Sequence, residues 1–186
     1  MKVLALLAVV AIAQIPDEPS ATRGCLSSRT KGVVVECRQA LHDETVSTNR
    51  RATLLRAMAL RLASESRWLE TADAYSELVA VTPEDASAHR AFGEVLLRGL
   101  GRPQEALAAF RESLRLDPDD AETHGLTADA LNALGRPTDA VRAYEDALRV
   151  DPGYLAARPA ARKSFDASER GLEWPEQTPA EERERK

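Results

Sequence analysis

Aromatic residues make up only 4% of this 186-residue chain, although 44% of it is hydrophobic. That excludes a core built around many large rings and leaves the packing to alanine, leucine and valine. Cysteine occurs twice, with no histidine near either before His42, so the four ligands of a structural zinc site are not at hand. There is no glycine-rich phosphate loop. No apolar run reaches the ~20 residues that span a bilayer. The net charge of −5 comes from interspersed charges of both signs, and no basic stripe with interleaved aromatics appears, which argues against nucleic acid as a partner.

What the sequence does have is a repeated sentence. Gly135 to Pro152 reads GRPTDAVRAYEDALRVDP. A glycine that can end one helix is followed by a proline suited to the first turn of the next. Ala140, Val141, Tyr144, Ala147 and Leu148 then fall on one face at spacings of three and four, and Asp151-Pro152 stops the run. The same pattern stands 34 residues earlier, from Gly101-Arg102-Pro103 through Ala106, Leu107, Phe110, Ser113 and Leu114 to Asp117-Pro118. A period of this length marks stacked helical pairs. Further upstream, Leu55, Met58, Ala59 and Leu62, then Tyr75, Leu78 and Val79, predict a third pair ending at Thr82-Pro83. Between the first and second pairs the spacing is 35. The extra residue is expected in the turn Leu97–Leu100, where LLRGLGRP stands in place of LNALGRP.

These residues resemble the tetratricopeptide repeat family. Its small position on the first helix matches Ala59, Gly93 and Ala128. Its small–aromatic–small–proline series along the second helix matches Ala106, Phe110, Ser113, Pro118 and Ala140, Tyr144, Ala147, Pro152, and less closely Thr71, Tyr75, Leu78, Pro83. The resemblance covers about residues 52–152 and implies an all-α fold, a right-handed α-solenoid of about three helix pairs, here 51–83, 86–118 and 121–152. Small residues are expected where helices cross closely, with the aromatics filling the space between adjacent pairs. A stack needs covered ends. Tyr154, Leu155, Ala161 and Phe165 predict a capping helix over 153–170, kinked at or beginning at Pro159. Residues 171–186, rich in charge and proline, read as a disordered tail.

The N-terminus differs in kind. Val3 to Ala13 is uninterruptedly apolar and ends Ala11-Ile12-Ala13, a small-x-small cleavage pattern. Residues 1–13 therefore read as a secretory signal peptide, short enough that the true start is expected upstream, with a buried N-terminal helix as the alternative. Export would put Cys25 and Cys37 where a disulfide persists. Such a bond would pin segment 14–50 and its single expected helix, on which Val33, Val34, Cys37, Ala40 and Leu41 share a face. Two separate buried thiols are the alternative. Signal, cysteine pair and repeats together look like the small periplasmic repeat proteins of Gram-negative bacteria. That resemblance implies the periplasm, with the extracellular space as the alternative and no stable membrane span after cleavage.

Catalytic groupings are hard to find. His89 and His124 occupy equivalent positions and are expected between helices. Glu84-Asp85 and Asp119-Asp120 suit helix N-termini, where the dipole favours negative charge. No serine has a histidine at a recognisable spacing. The reading is a non-enzyme without cofactor or metal, and an overlooked enzyme would have to draw on Arg90, Glu94 and Asp129. The family resemblance implies instead a concave groove lined by first helices that grips a peptide or partner protein. Its groove positions here are Thr53, Arg56, Leu60 and Ala63; Ser87, Arg90, Glu94 and Leu97; and Glu122, Gly125, Asp129 and Asn132. This set runs from basic-apolar to acidic, enough to orient a peptide by charge. The lysine and asparagine that clasp chaperone C-termini in some family members are absent. The expected function is a protein-interaction scaffold in the cell envelope, acting as a monomer; the alternative is a structural accessory that stacks or oligomerises without a groove ligand.

Overall fold

The computed structural model describes residues 33–43 and 45–172. The expected signal segment, Cys25 and the chain from 173 onward lie outside the described residues. The chain is all-α, of the helical-repeat solenoid class. It divides after Val81 into two units, each taken by itself below.

The first unit holds α1 (Val33–Leu41), α2 (Thr48–Ser64) and α3 (Trp68–Val81). On α1, Val34, Cys37 and Ala40 are buried, at the three-residue spacing that makes one helical face. Buried side chains of α2, now including Leu54 beside the expected Leu55, Met58, Ala59 and Leu62, meet Thr71, Ala72, Ala74, Tyr75 and Leu78 of α3. The turn joining them is a Schellman motif. Ser66 takes the left-handed conformation at φ 57°, its N–H donates to the Ala63 carbonyl (2.9 Å), and the Arg67 N–H reaches back to that of Leu62 (3.0 Å). These bonds satisfy carbonyls that the helix end leaves open. Arg38 ties α1 to α3 through Glu70 (2.6 Å).

The second unit runs through α4 (Ala86–Glu94), α5 (Pro103–Leu116), α6 (Ala121–Ala133), α7 (Pro137–Val150), the short α8 (Tyr154–Ala157) and α9 (Pro159–Leu172). Pro103 and Pro137 open α5 and α7, where the missing N–H costs nothing. Asp85 and Asp120 are the N-caps of α4 and α6. Asp85 accepts from the Ala88 N–H, and Asp120 from those of Glu122 and Thr123. Two of the four expected acidic residues thus bond the helix ends directly, which goes beyond a dipole effect. Pro159 begins α9, and the cap is two helices broken at Arg158.

The extra residue of the second pair is not spent in a turn. It is taken up inside the helix, as a π-helical turn over Val95–Gly99 that continues α4. Leu100 N–H bonds to the Val95 carbonyl (3.1 Å) and Arg102 N–H to that of Leu96 (2.8 Å), whereas in the third pair Arg136 N–H bonds to the Leu131 carbonyl (3.0 Å). The two turns share a left-handed glycine, Gly101 at φ 63° and Gly135 at φ 69°. Widening the hydrogen-bond ring absorbs one residue while leaving both helix ends capped.

The core of this unit gathers Leu96, Leu107, Phe110, Leu126, Leu131, Tyr144 and Leu155 among small alanines. Small positions sit where they were expected, with Ala59 and Ala128 fully buried and Gly93 under the Phe110 ring, which a Cβ there would approach to 2.5 Å. Phe110 lies against Gly93 of its own helix pair, and Tyr144 makes a T-shaped contact with Phe165 of the cap, 5.7 Å between centroids.

Candidate functional site

Leaving aside Thr53, Ala63 and Gly125, the expected groove residues number nine and fall into both units. Arg56 and Leu60 belong to α2. Arg56 is half-buried and Leu60 is 59% exposed, a large aliphatic side chain held in solvent one helical turn from a guanidinium. The other seven belong to the second unit, on α4, its π-helical continuation and α6.

Six of those seven are already bonded. The Ser87 hydroxyl donates to the N-cap carboxylate Asp85 (2.6 Å). Arg90 pairs with Asp120 (3.2 Å), so the N-cap of α6 is also an anchor for α4. Glu94 and Asp129 share Arg98, at 2.5 and 3.5 Å, and Asp129 also accepts from the Tyr144 hydroxyl. Glu122 pairs with Arg158 (2.5 Å). The Asn132 side-chain oxygen accepts from the Ser168 hydroxyl (2.7 Å). Leu97 is half-buried against the core. Gly125 is covered too, because the Tyr154 side chain occupies the space a Cβ would need, and the Arg158 guanidinium stacks over the Tyr154 ring at 4.5 Å.

The expected acidic end of the groove is therefore charge-balanced within this unit. Glu94, Asp120, Glu122 and Asp129 are met by Arg90, Arg98 and Arg158. Sequence reasoning missed Arg98 and Arg158. Arg98 stands in the stretch that carries the extra residue, and Arg158 directly precedes a helix-starting proline, so irregularity in the pattern was the available signal for both. Such half-exposed pairs contribute about 0.2–1 kcal/mol each, and their larger effect is to fix which surface remains open.

Two phenols are buried beneath this network. Burial pushes the Tyr154 hydroxyl up to about 12, with the charge of Glu122 adding to it. Burial, then the hydrogen bond to Asp129, drives Tyr144 well above the ordinary phenol range. His89 and His124 are half-buried, and each ring places Nε2 2.9 Å from the carbonyl of the proline six residues before it, Pro83 and Pro118. They close the loops between pairs, where the expectation was packing between helices. Among the described residues no group of three or more His, Cys, Asp or Glu could hold a metal ion, and no helix is long and apolar enough to cross a membrane.

Comparison with known proteins fits this geometry. Two tetratricopeptide repeat profiles match, over residues 56–121 and 97–161, together more than half of the chain. The chain belongs to the tetratricopeptide repeat family. No curated protein sequence matches it. Among solved tetratricopeptide-type structures, it is similar to MamA, at 16% identity and a TM-score of 0.69 over 82% of this chain and 80% of that one. It is similar to the TPR2B domain of yeast Sti1, solved as a pHsp70 complex, at 21% identity and a TM-score of 0.59 over 64% and 97%. It is also similar to the Yersinia enterocolitica type III secretion chaperone SycD, solved with a peptide of the translocator YopD, at 13% identity and a TM-score of 0.61 over 70% and 100%. At these identities the likeness speaks for the tetratricopeptide fold alone.

Proposed function

We propose that this protein is a protein-interaction scaffold that binds a peptide or partner protein on its first-helix faces, with α2 as the principal contact. The observation that carries this is Leu60, 59% exposed at a groove position beside Arg56. An aliphatic group held in water beside a cation suits a peptide that offers an apolar side chain and a carboxylate. That the Sti1 domain was solved as a pHsp70 complex and SycD with a YopD peptide supports the reading by analogy of fold.

The protein works without catalysis. Arg90, Glu94 and Asp129, its nearest approach to a titratable cluster, are committed to structural ion pairs. It acts as a monomer in the cell envelope, exported by residues 1–13 and stapled by a Cys25–Cys37 bond. The exposed positions of α9 include Arg162, Lys163, Glu169 and Arg170, a polar surface that supports a closed end over end-to-end stacking. Binding is tested by capture from an envelope extract with wild type, Arg56→Glu and Leu60→Asp. One partner held by the wild type and lost in both variants is the expected result. Retention of that partner by both would move the contact surface elsewhere.

A further inference from the structure

The second unit carries a cleft of about 410 Å³, lined by Gln104, Leu107, Arg111, Leu134 and Arg136. Gln104, Leu107 and Arg111 form one stripe of α5 at spacings of three and four, while Leu134 and Arg136 come from the turn between α6 and α7. The floor is aliphatic and the rim is cationic. Arg136 is shared with Asp139 (2.6 Å). Arg111 is exposed, and among the described residues it makes no hydrogen bond or ion pair.

The chain supplies a segment of matching chemistry at the right place. After Leu172, where α9 ends, the sequence continues Glu173-Trp174-Pro175-Glu176-Gln177, one large aromatic between two carboxylates. The last turns of α9 are held beside the cleft's own turn, because the Ser168 hydroxyl donates to Asn132 at 2.7 Å, two residues ahead of Leu134. Trp174, the second residue after Leu172, lies within about 7 Å of the helix end along an extended chain, and Glu176 within about 14 Å.

We propose that this cleft is the docking site of the chain's own segment 173–177. Trp174 lies on Leu107 and Leu134, and Glu173 and Glu176 face Arg111 and Arg136. The indole gains apolar burial and a cation–π contact with Arg111, and the carboxylates gain charge-assisted hydrogen bonds. Tethering raises the effective concentration to the millimolar range, so contacts too weak for a free peptide suffice. The site is separate from α2 and independent of the groove reading.

The sequence has two tryptophans, so Trp68→Phe in the full chain leaves Trp174 as the only indole. Its emission maximum and acrylamide quenching are compared with those of a synthetic peptide of residues 171–186, and with the same chain carrying Arg111→Glu. Circular dichroism melting checks that the variants fold. The expected result is a blue-shifted, several-fold less quenchable Trp174 in the chain that reverts to the peptide's values with Arg111→Glu. Emission matching the free peptide overturns the proposal, as does protection unchanged by Arg111→Glu. Protection that grows with protein concentration also overturns it, giving the cleft to the tail of a second copy.

Discussion

Ser66 occupies a backbone conformation that the other two helical turns give to Gly101 and Gly135. The left-handed region costs a non-glycine residue about 1–2 kcal/mol, and glycine returns part of that gain through its freer unfolded chain. Ser66→Gly should therefore stabilise the protein by roughly 0.5 kcal/mol, read as a higher denaturation midpoint. Gly135→Ala meets no atom within 4 Å, so its loss of about 1 kcal/mol would be purely conformational. Gly93→Ala is a different experiment, since its Cβ drives into the Phe110 ring, an overpacking worth about 1–3 kcal/mol. Gly93, Gly101 and Gly135 were legible as small or turn positions in the sequence. What each one touches was not: Pro159 marked the break in the cap, but side-chain reach and not periodicity decides that Tyr154 covers Gly125. Tyr154 adds a pH signature. Its folded value of about 12 lies above the ordinary 10, so the stability it contributes is whole below pH 10 and lost as pH rises from there through 12. Melting temperatures should fall across that window, and fall less in Tyr154→Phe, after allowance for that variant's own lower baseline.

At the scale of elements, the 34-residue period carried most of the information. It located the helix pairs because proline, small residue and aromatic recur together, each for a steric reason. It could count the extra residue of the second pair but not say whether helix or turn would absorb it, since both close with the same glycine. Deleting Gly99 would leave LLRLGRP against LNALGRP of the third pair, converting the π-helical turn to the ordinary Schellman close. Removing a glycine from a helix interior returns about 1 kcal/mol, so the deletion should leave the melting temperature unchanged or raised. A drop of many degrees would mean that the π turn is required to seat Leu96 and Leu100. Buried Leu54 was missed for a simpler reason: a stripe of three-and-four spacings tolerates a neighbour on the same face, and the pattern alone does not mark where that face ends.

For the molecule as a whole, large exposed hydrophobics among the described residues are confined to the first unit: Val35, Leu60, Trp68 and Leu69. The second unit binds its own groove positions with arginines, a tyrosine and the cap. Charge at those positions was readable from the sequence, but its cancellation was not, because pairing across helices is decided by side-chain reach and not by register. The ion pairs of the second unit thus serve its stability, and the proposed recognition surface is α2. The direct test is a photo-crosslinking amino acid at position 60, with the same group at exposed position 142 of α7 as control, irradiated in envelope fractions. A discrete adduct from position 60, absent at 142 and abolished by Arg56→Glu, is the predicted result. Equal labelling at both positions, or a discrete adduct from 142 alone, would contradict it.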